Sequence, residues 1–149
     1  MSQVLSLRIT DKMADRLERF ARHLGNGMTR SKAGVLLLEE ALREAEFAHI
    51  EFRDTILGRQ AFLKGTGITV WEMIMIARGY DFDATHIAED YRYSVNIVQT
   101  AFNYYKAYKE EIDLAIEDNN IDLEAMKRLL PGLRIHTAPK EEIAGEHHC

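Results

Sequence analysis

Six residues near the start of the chain constrain the fold more than any others. From Val4 to Ile9 the side chains alternate, with Leu5, Leu7 and Ile9 on one face and Val4, Ser6 and Arg8 on the other, the pattern of a half-buried strand. A single strand cannot bury its apolar face alone. No second strand of similar quality follows within hairpin distance, so the expected partner is the same strand of a second copy. Leu5, Leu7 and Ile9 are thus the expected dimerisation residues.

Helical signals follow directly. Thr10 is a suitable N-cap, Asp11 favours the positive end of a helix, and Met13, Leu17, Phe20 and Leu24 recur at helical spacing until Gly25-Asn26-Gly27 ends the run. Thr29 or Ser31 caps a second helix reaching about Glu46. Its apolar residues Val35, Leu36, Leu37, Leu38, Ala41, Leu42 and Ala45 are too many for one stripe, and they predict burial on several sides, as in an intertwined dimer.

Charge is distributed unevenly. The chain carries −5 overall, yet residues 1–34 hold seven basic residues against three acidic ones, a local balance of +4, and the other 115 residues hold −9. A basic end suits phosphate, and an acidic remainder suits water or a basic partner. Arg8 can bond a guanine bidentately, Ser6 can pair with several bases, and Val4 can touch a thymine methyl. The opening of the second helix offers free backbone N–H groups beside Thr29, Arg30 and Ser31, which would clamp phosphate without reading sequence.

The order strand, helix, glycine turn, helix over residues 3–46, with LSLRIT, DKMADRLERFARHLG and GMTRSKAGVLLLEEAL, resembles the ribbon-helix-helix family of the Arc, MetJ and CopG type. The resemblance implies a homodimer whose paired strands enter the major groove of an operator. The Gly25-Asn26-Gly27 turn is longer than in the tightest members of that family.

Beyond residue 46 the texture changes. From Ala48 to Thr69 the chain breaks into short extended pieces, with Gly58, Gly65 and Gly67 punctuating Ala61–Lys64 and Ile68–Val70, a small strand-and-turn element. Three helical patterns follow, at Val70–Arg78, Ala84–Tyr91 and Val95–Glu117, with Asp83 and Ser94 as N-caps for the last two. The run Gly58-Arg59-Gln60-Ala61-Phe62-Leu63-Lys64-Gly65-Thr66-Gly67-Ile68-Thr69-Val70 places residues of about 49–112 in resemblance to a small antitoxin-associated domain found beside VapB-like partners of nuclease toxins. Gln60 stands where that signature has proline, and Gly67 where it has arginine. Thr85 to Val98 also looks like a helix-turn-helix, with small Ala88 at the crossing and Asn96, Gln99 and Asn103 on its second helix. The neighbouring Glu89 and Asp90 weaken a DNA-reading role there, because phosphate contacts dominate affinity. Phe102, Tyr104, Tyr105 and Tyr108 at helical spacing read as core or helix interface in preference to a base-stacking platform.

Asp118-Asn119-Asn120 is expected to open a tail with one short helix, whose Leu123, Met126, Leu129 and Leu130 would dock a protein partner or fold back on their own domain. The expected organisation is 1–46 for DNA binding and dimerisation, 49–117 for the antitoxin-associated domain, and 118–149 for the C-terminal helix and tail. The expected class is mainly α, a ribbon-helix-helix unit followed by a small helix-turn-helix-like domain with short strands.

Other functions find little footing. No apolar run approaches the ~20 residues of a membrane-spanning helix, and MSQVLSLRIT has no secretory pattern, so a cytoplasmic protein is expected. His147, His148 and Cys149 lack the fourth ligand of a structural zinc site, so no metal or cofactor is expected. No nucleophile elbow or phosphate loop marks an enzyme. The sequence therefore points to a dimeric operator-binding repressor acting as the antitoxin of a basic nuclease toxin. A toxin-independent transcriptional or plasmid-maintenance regulator, and an interaction scaffold without DNA, are the alternatives.

Overall fold

The computed structural model describes the backbone of residues 1–129 and the side chains of residues 1–120. The molecule is mainly helical, with six helices and one two-stranded antiparallel sheet among the described residues. The chain divides into two units, Met1–Ile116 and Glu117–Cys149. The boundary expected between 46 and 49 falls inside the first.

Residues 1–10 have no secondary structure in the single chain. The alternating segment, expected as a strand, forms no ladder, since no described residue of the same chain pairs with it. Helix α1 (Asp11–Leu24) starts where Thr10 accepts a hydrogen bond from Met13 N–H, and it stops at Gly25, whose φ of +63° only glycine adopts without strain. Helix α2 (Arg30–Glu46) is capped by Thr29, which accepts from Lys32 N–H; Ser31 lies inside the helix. Ala21 of α1 and Ala33 of α2 are buried where the two helices lie against each other. The other apolar faces of α2 stay open. Val35, Leu38 and Leu42 are exposed in the single chain, so the several-sided burial expected of this helix is not supplied within one copy.

The strand-and-turn element is a hairpin of β1 (Ile50–Thr55) and β2 (Gly58–Leu63), in register from Ile50 opposite Leu63 to Thr55 opposite Gly58. Ile68–Val70 is not a strand. Leu63 N–H donates to Ile68 C=O, Thr69 makes one isolated bridge with Phe62, and Val70 already opens a helix. That helix, α3 (Val70–Gly79), has a full capping box between Thr69 and Glu72. Helices α4 (Ala84–Tyr91) and α5 (Val95–Ala107) follow on the caps of Asp83 and Ser94.

The single helix expected from Val95 to Glu117 is broken at Tyr108, which caps α5 with φ −127° and ψ 41° before α6 (Lys109–Leu129) begins. The break lets the Tyr108 ring lie under the Arg43 guanidinium, 3.7 Å from its centroid, and edge-on to Phe47. The separate short helix expected after Asp118 is likewise absent, because α6 runs unbroken through Asn119 and Asn120. Favourable propensity along Ile121–Leu129 outweighs the three polar residues, which carry no proline or glycine to stop a helix.

The core lies under the hairpin and among α3, α4 and α5. Leu63, Val70, Met73, Ile74, Ala77, Ile87, Val98, Ala101 and Tyr104 are fully buried there, and Ile112 and Ile116 of α6 nearly so. Ala88 is buried where α4 meets this core, as the helix-turn-helix spacing predicts. Phe102 and Tyr104 are core, which settles the aromatic run as packing.

Candidate nucleic-acid interface

The residues expected to read DNA fall on one end of the first unit. Ser6 and Arg8 are exposed, and Val4, Leu5 and Leu7 are 97%, 74% and 62% exposed, too much apolar surface for a segment of ten residues to leave in water without a use. Leu7 and Ile9 lie along a groove of about 510 Å³ whose walls include Met13, Leu17 and Phe20 of α1 and Leu37 of α2. Val4 and Leu5 line an adjoining groove of about 490 Å³ together with Arg30 and Ser31. The fold thus brings Val4 beside the opening of α2, while Ser6 and Arg8 line neither groove.

The first turns of α2, α4 and α5 all lack an acidic residue, and that of α2 differs in carrying cations. Cations disfavour a helix N-terminus, whose partial charge is already positive, and α1 and α3 answer theirs with Asp11 and Glu72. The first turn of α2 has no acidic residue and carries Arg30 and Lys32. The Thr29 hydroxyl accepts from Lys32 N–H at 3.2 Å and keeps its own proton to donate. The first turn of α2 thus carries unpaired backbone N–H groups and two cations, with no acidic residue to answer them.

Most downstream cations are committed elsewhere. Of the eight lysines and arginines described beyond residue 34, Arg43, Arg53, Arg59, Arg78 and Lys109 form ion pairs and Lys64, Arg92 and Lys106 do not, whereas none of Arg8, Lys12, Arg16, Arg19, Arg22, Arg30 and Lys32 forms one among the described residues. Arg59 bonds both carboxylate oxygens of Glu40, its Nε lying 3.0 Å from Oε1, and also faces Asp54 at 3.4 Å. The bonds to Glu40 raise its pKa above the ordinary arginine value, against the opposing effect of burial. Arg43 Nη1 donates to Tyr104 Oη at 2.7 Å and to Glu111 at 3.0 Å, and its Nε donates to Glu39. Burial works against the Arg43 cation, yet the bonds to Tyr104, Glu39 and Glu111 outweigh it and hold its pKa above the usual range. Burial pushes the Tyr104 phenol up to about 12, with the Arg43 bond pulling the other way.

The antitoxin-like signature is architectural in this chain. Gly58, at φ +100°, opens β2, and Gly65, at φ +79°, turns the chain after it. The Thr66 hydroxyl donates to Leu63 C=O at 2.7 Å and accepts from Ile68 N–H at 3.1 Å, locking the link into α3. Gln60 accepts from the Trp71 indole at 3.4 Å. Asn96, Gln99 and Asn103 are exposed on α5, where the Gln99 amide donates to Asn103 at 3.2 Å.

The backbone carrying Leu123, Met126 and Leu129 belongs to α6, but these side chains, and Leu130 altogether, lie outside the described residues, as do His147, His148 and Cys149. No group of three or more histidine, cysteine or acidic side chains able to hold a metal occurs among the described residues, and no helix among them is long and apolar enough to cross a membrane. Strand β1 falls within the stretch expected to be extended, though its bounds, signalled by the β-branched and aromatic content of Ile50-Glu51-Phe52-Arg53-Asp54-Thr55, are not among the expectations, and the Glu40–Arg59 pair has no local signal at all. Comparison with family models, curated proteins and solved structures gives no match.

Proposed function

We propose that the chain is an operator-binding repressor, active as a homodimer through residues 4–9, and that it is the antitoxin of a basic nuclease toxin. The observation that carries the DNA half is the concentration of free cations at the N-terminal end: all seven there have no ion pair among the described residues, whereas five of the eight described further along are paired within the fold. Unpaired cations beside an exposed alternating segment are what counterion release from phosphate needs. Exposure of Leu5, Leu7 and Ile9 supports pairing of that segment with a second copy, which would cover them and leave Ser6 and Arg8 facing a groove. The toxin half is supported by the balance of −9 beyond residue 34 and by the signature at 58–70. Duplex binding whose affinity falls steeply with salt, by a protein that sediments as a dimer, tests the first half. Co-expression with the product of the adjacent gene, followed by truncation after Asn119, tests the second: loss of a bound basic nuclease on truncation supports docking through Leu123, Met126, Leu129 and Leu130, and its retention overturns it.

A further inference from the structure

Helix α1 sorts its charges. Lys12, Arg16, Arg19 and His23 fall at i, i+4, i+7 and i+11, one exposed ridge, while Asp11, Asp15 and Glu18 share another. The apolar stripe of Met13, Leu17 and Phe20 borders the basic ridge on its other side. Asp15 stands three residues from Lys12 and four from Arg19, within reach of both, yet neither is paired with it. His23 alone has a partner, its Nε2 lying 3.2 Å from Asp54 Oδ2.

Position gives the ridge a direction. Arg16 lines the same groove as Leu7 and Ile9, so the ridge borders the segment that carries Arg8. At its far end, Gly25-Asn26-Gly27 leads straight to Thr29, Arg30 and Ser31. A helix whose two ends adjoin the two expected DNA contacts runs between them. From Lys12 to Arg19 it rises roughly 10 Å, about the axial length of three phosphates on one strand.

We infer that Lys12, Arg16 and Arg19 form a phosphate track for duplex DNA flanking the groove the ribbon enters, a contact separate from the strand that reads bases and from the opening of α2. The inference rests on the DNA-binding reading above. The track carries no sequence information: it lengthens the bound site and steepens its salt dependence.

The test compares the full-length chain with Lys12→Gln/Arg16→Gln/Arg19→Gln on two probes, a random-sequence linear duplex and the duplex the wild type selects from that pool. The triple variant is expected to bind both at least tenfold more weakly at low salt, with a log–log salt slope reduced by about 0.9 for each phosphate it no longer neutralises. Its hydroxyl-radical footprint shortens at both flanks while the preference for the selected duplex is retained. The charge-preserving Lys12→Arg/Arg16→Lys/Arg19→Lys chain restores slope and footprint. An unchanged slope and footprint in the triple variant, with Arg30→Ala still weakening binding, overturns the track and leaves the ribbon reading standing. A wild type with no salt-dependent affinity for either duplex overturns both.

Discussion

Arg59 on β2 closes over the carboxylate of Glu40 on α2, meeting both of its oxygens while Glu40 itself is only 6% exposed. The Arg59 guanidinium also lies 5.6 Å from the Phe20 ring of α1. One side chain thus joins three elements that lie far apart in sequence. Removing it leaves a carboxylate buried without a counter-charge, a loss of about 3–5 kcal/mol. Arg59→Ala should therefore shift the urea midpoint strongly, while Glu40→Met/Arg59→Met should recover most of the difference; equal damage from both would show that packing, not charge, holds this joint.

The proposed base-reading segment, residues 4–9, and the opening of α2 should be separable by mutation. Arg8→Ala is expected to cost about 1–3 kcal/mol of binding per half-site and to relax base preference, since a bidentate guanine contact is worth that much. Arg30→Ala should weaken all sequences alike. Competition between selected and scrambled duplexes distinguishes the two, and an Arg8→Ala protein with its preference intact would remove the strand from the role of reader.

Deleting residues 1–9 should yield a monomer that stays folded. Those residues make no ladder within the chain, and the core centred on Leu63, Ile74 and Tyr104 contains none of them. Analytical ultracentrifugation and circular dichroism give the outcome directly, and a persistent dimer would transfer self-association to another surface.

Alkaline stability should report on Tyr104. Its pKa in the folded chain is raised by burial from 10.0 to about 12, so stability is complete below pH 10 and is lost as pH climbs toward 12, because the unfolded chain gives up the phenolic proton first. A shift of that size corresponds to roughly 2–3 kcal/mol. Tyr80, raised to about 12 by its hydrogen bond to Asp90, titrates in the same window. Tyr104→Phe should flatten the decline in unfolding free energy across this range, and adding Tyr80→Phe should flatten it further.

Local chemistry made much of this fold legible in advance. Thr10, Thr29, Asp83 and Ser94 cap helices because a side-chain oxygen one residue before a helix satisfies an N–H wherever it occurs. Gly25 ends α1 for an equally local reason. What sequence could not supply was set by contacts at long range. The break at Tyr108 accompanies a contact with Arg43, 65 positions earlier, whose guanidinium stacks on the ring. The three polar residues at 118–120 resemble a linker but fall within α6. Among the candidate site residues, Val4, Arg30 and Ser31 line one groove, a proximity no local pattern announces, and the unpaired state of the α1 cations emerges only once the described carboxylates have been placed.

The passage from α2 to β1 is three residues long. Phe47 caps the helix and meets the Tyr104 ring edge-on at 5.3 Å, and His49 turns at φ +64° straight into the hairpin. Nothing in so short a stretch behaves as a tether. Whatever orientation the opening of α2 takes on a duplex, its far end imposes the same orientation on the hairpin and α5, as a bracket holds a shelf. In a two-fold dimer the downstream halves would stand at a fixed height and bearing above the double helix. Successive dimers along an operator would then meet, or miss, one another according to the helical phase of their sites, and inserting half a turn of DNA between two sites would change whether neighbours touch without altering a single contact to the bases.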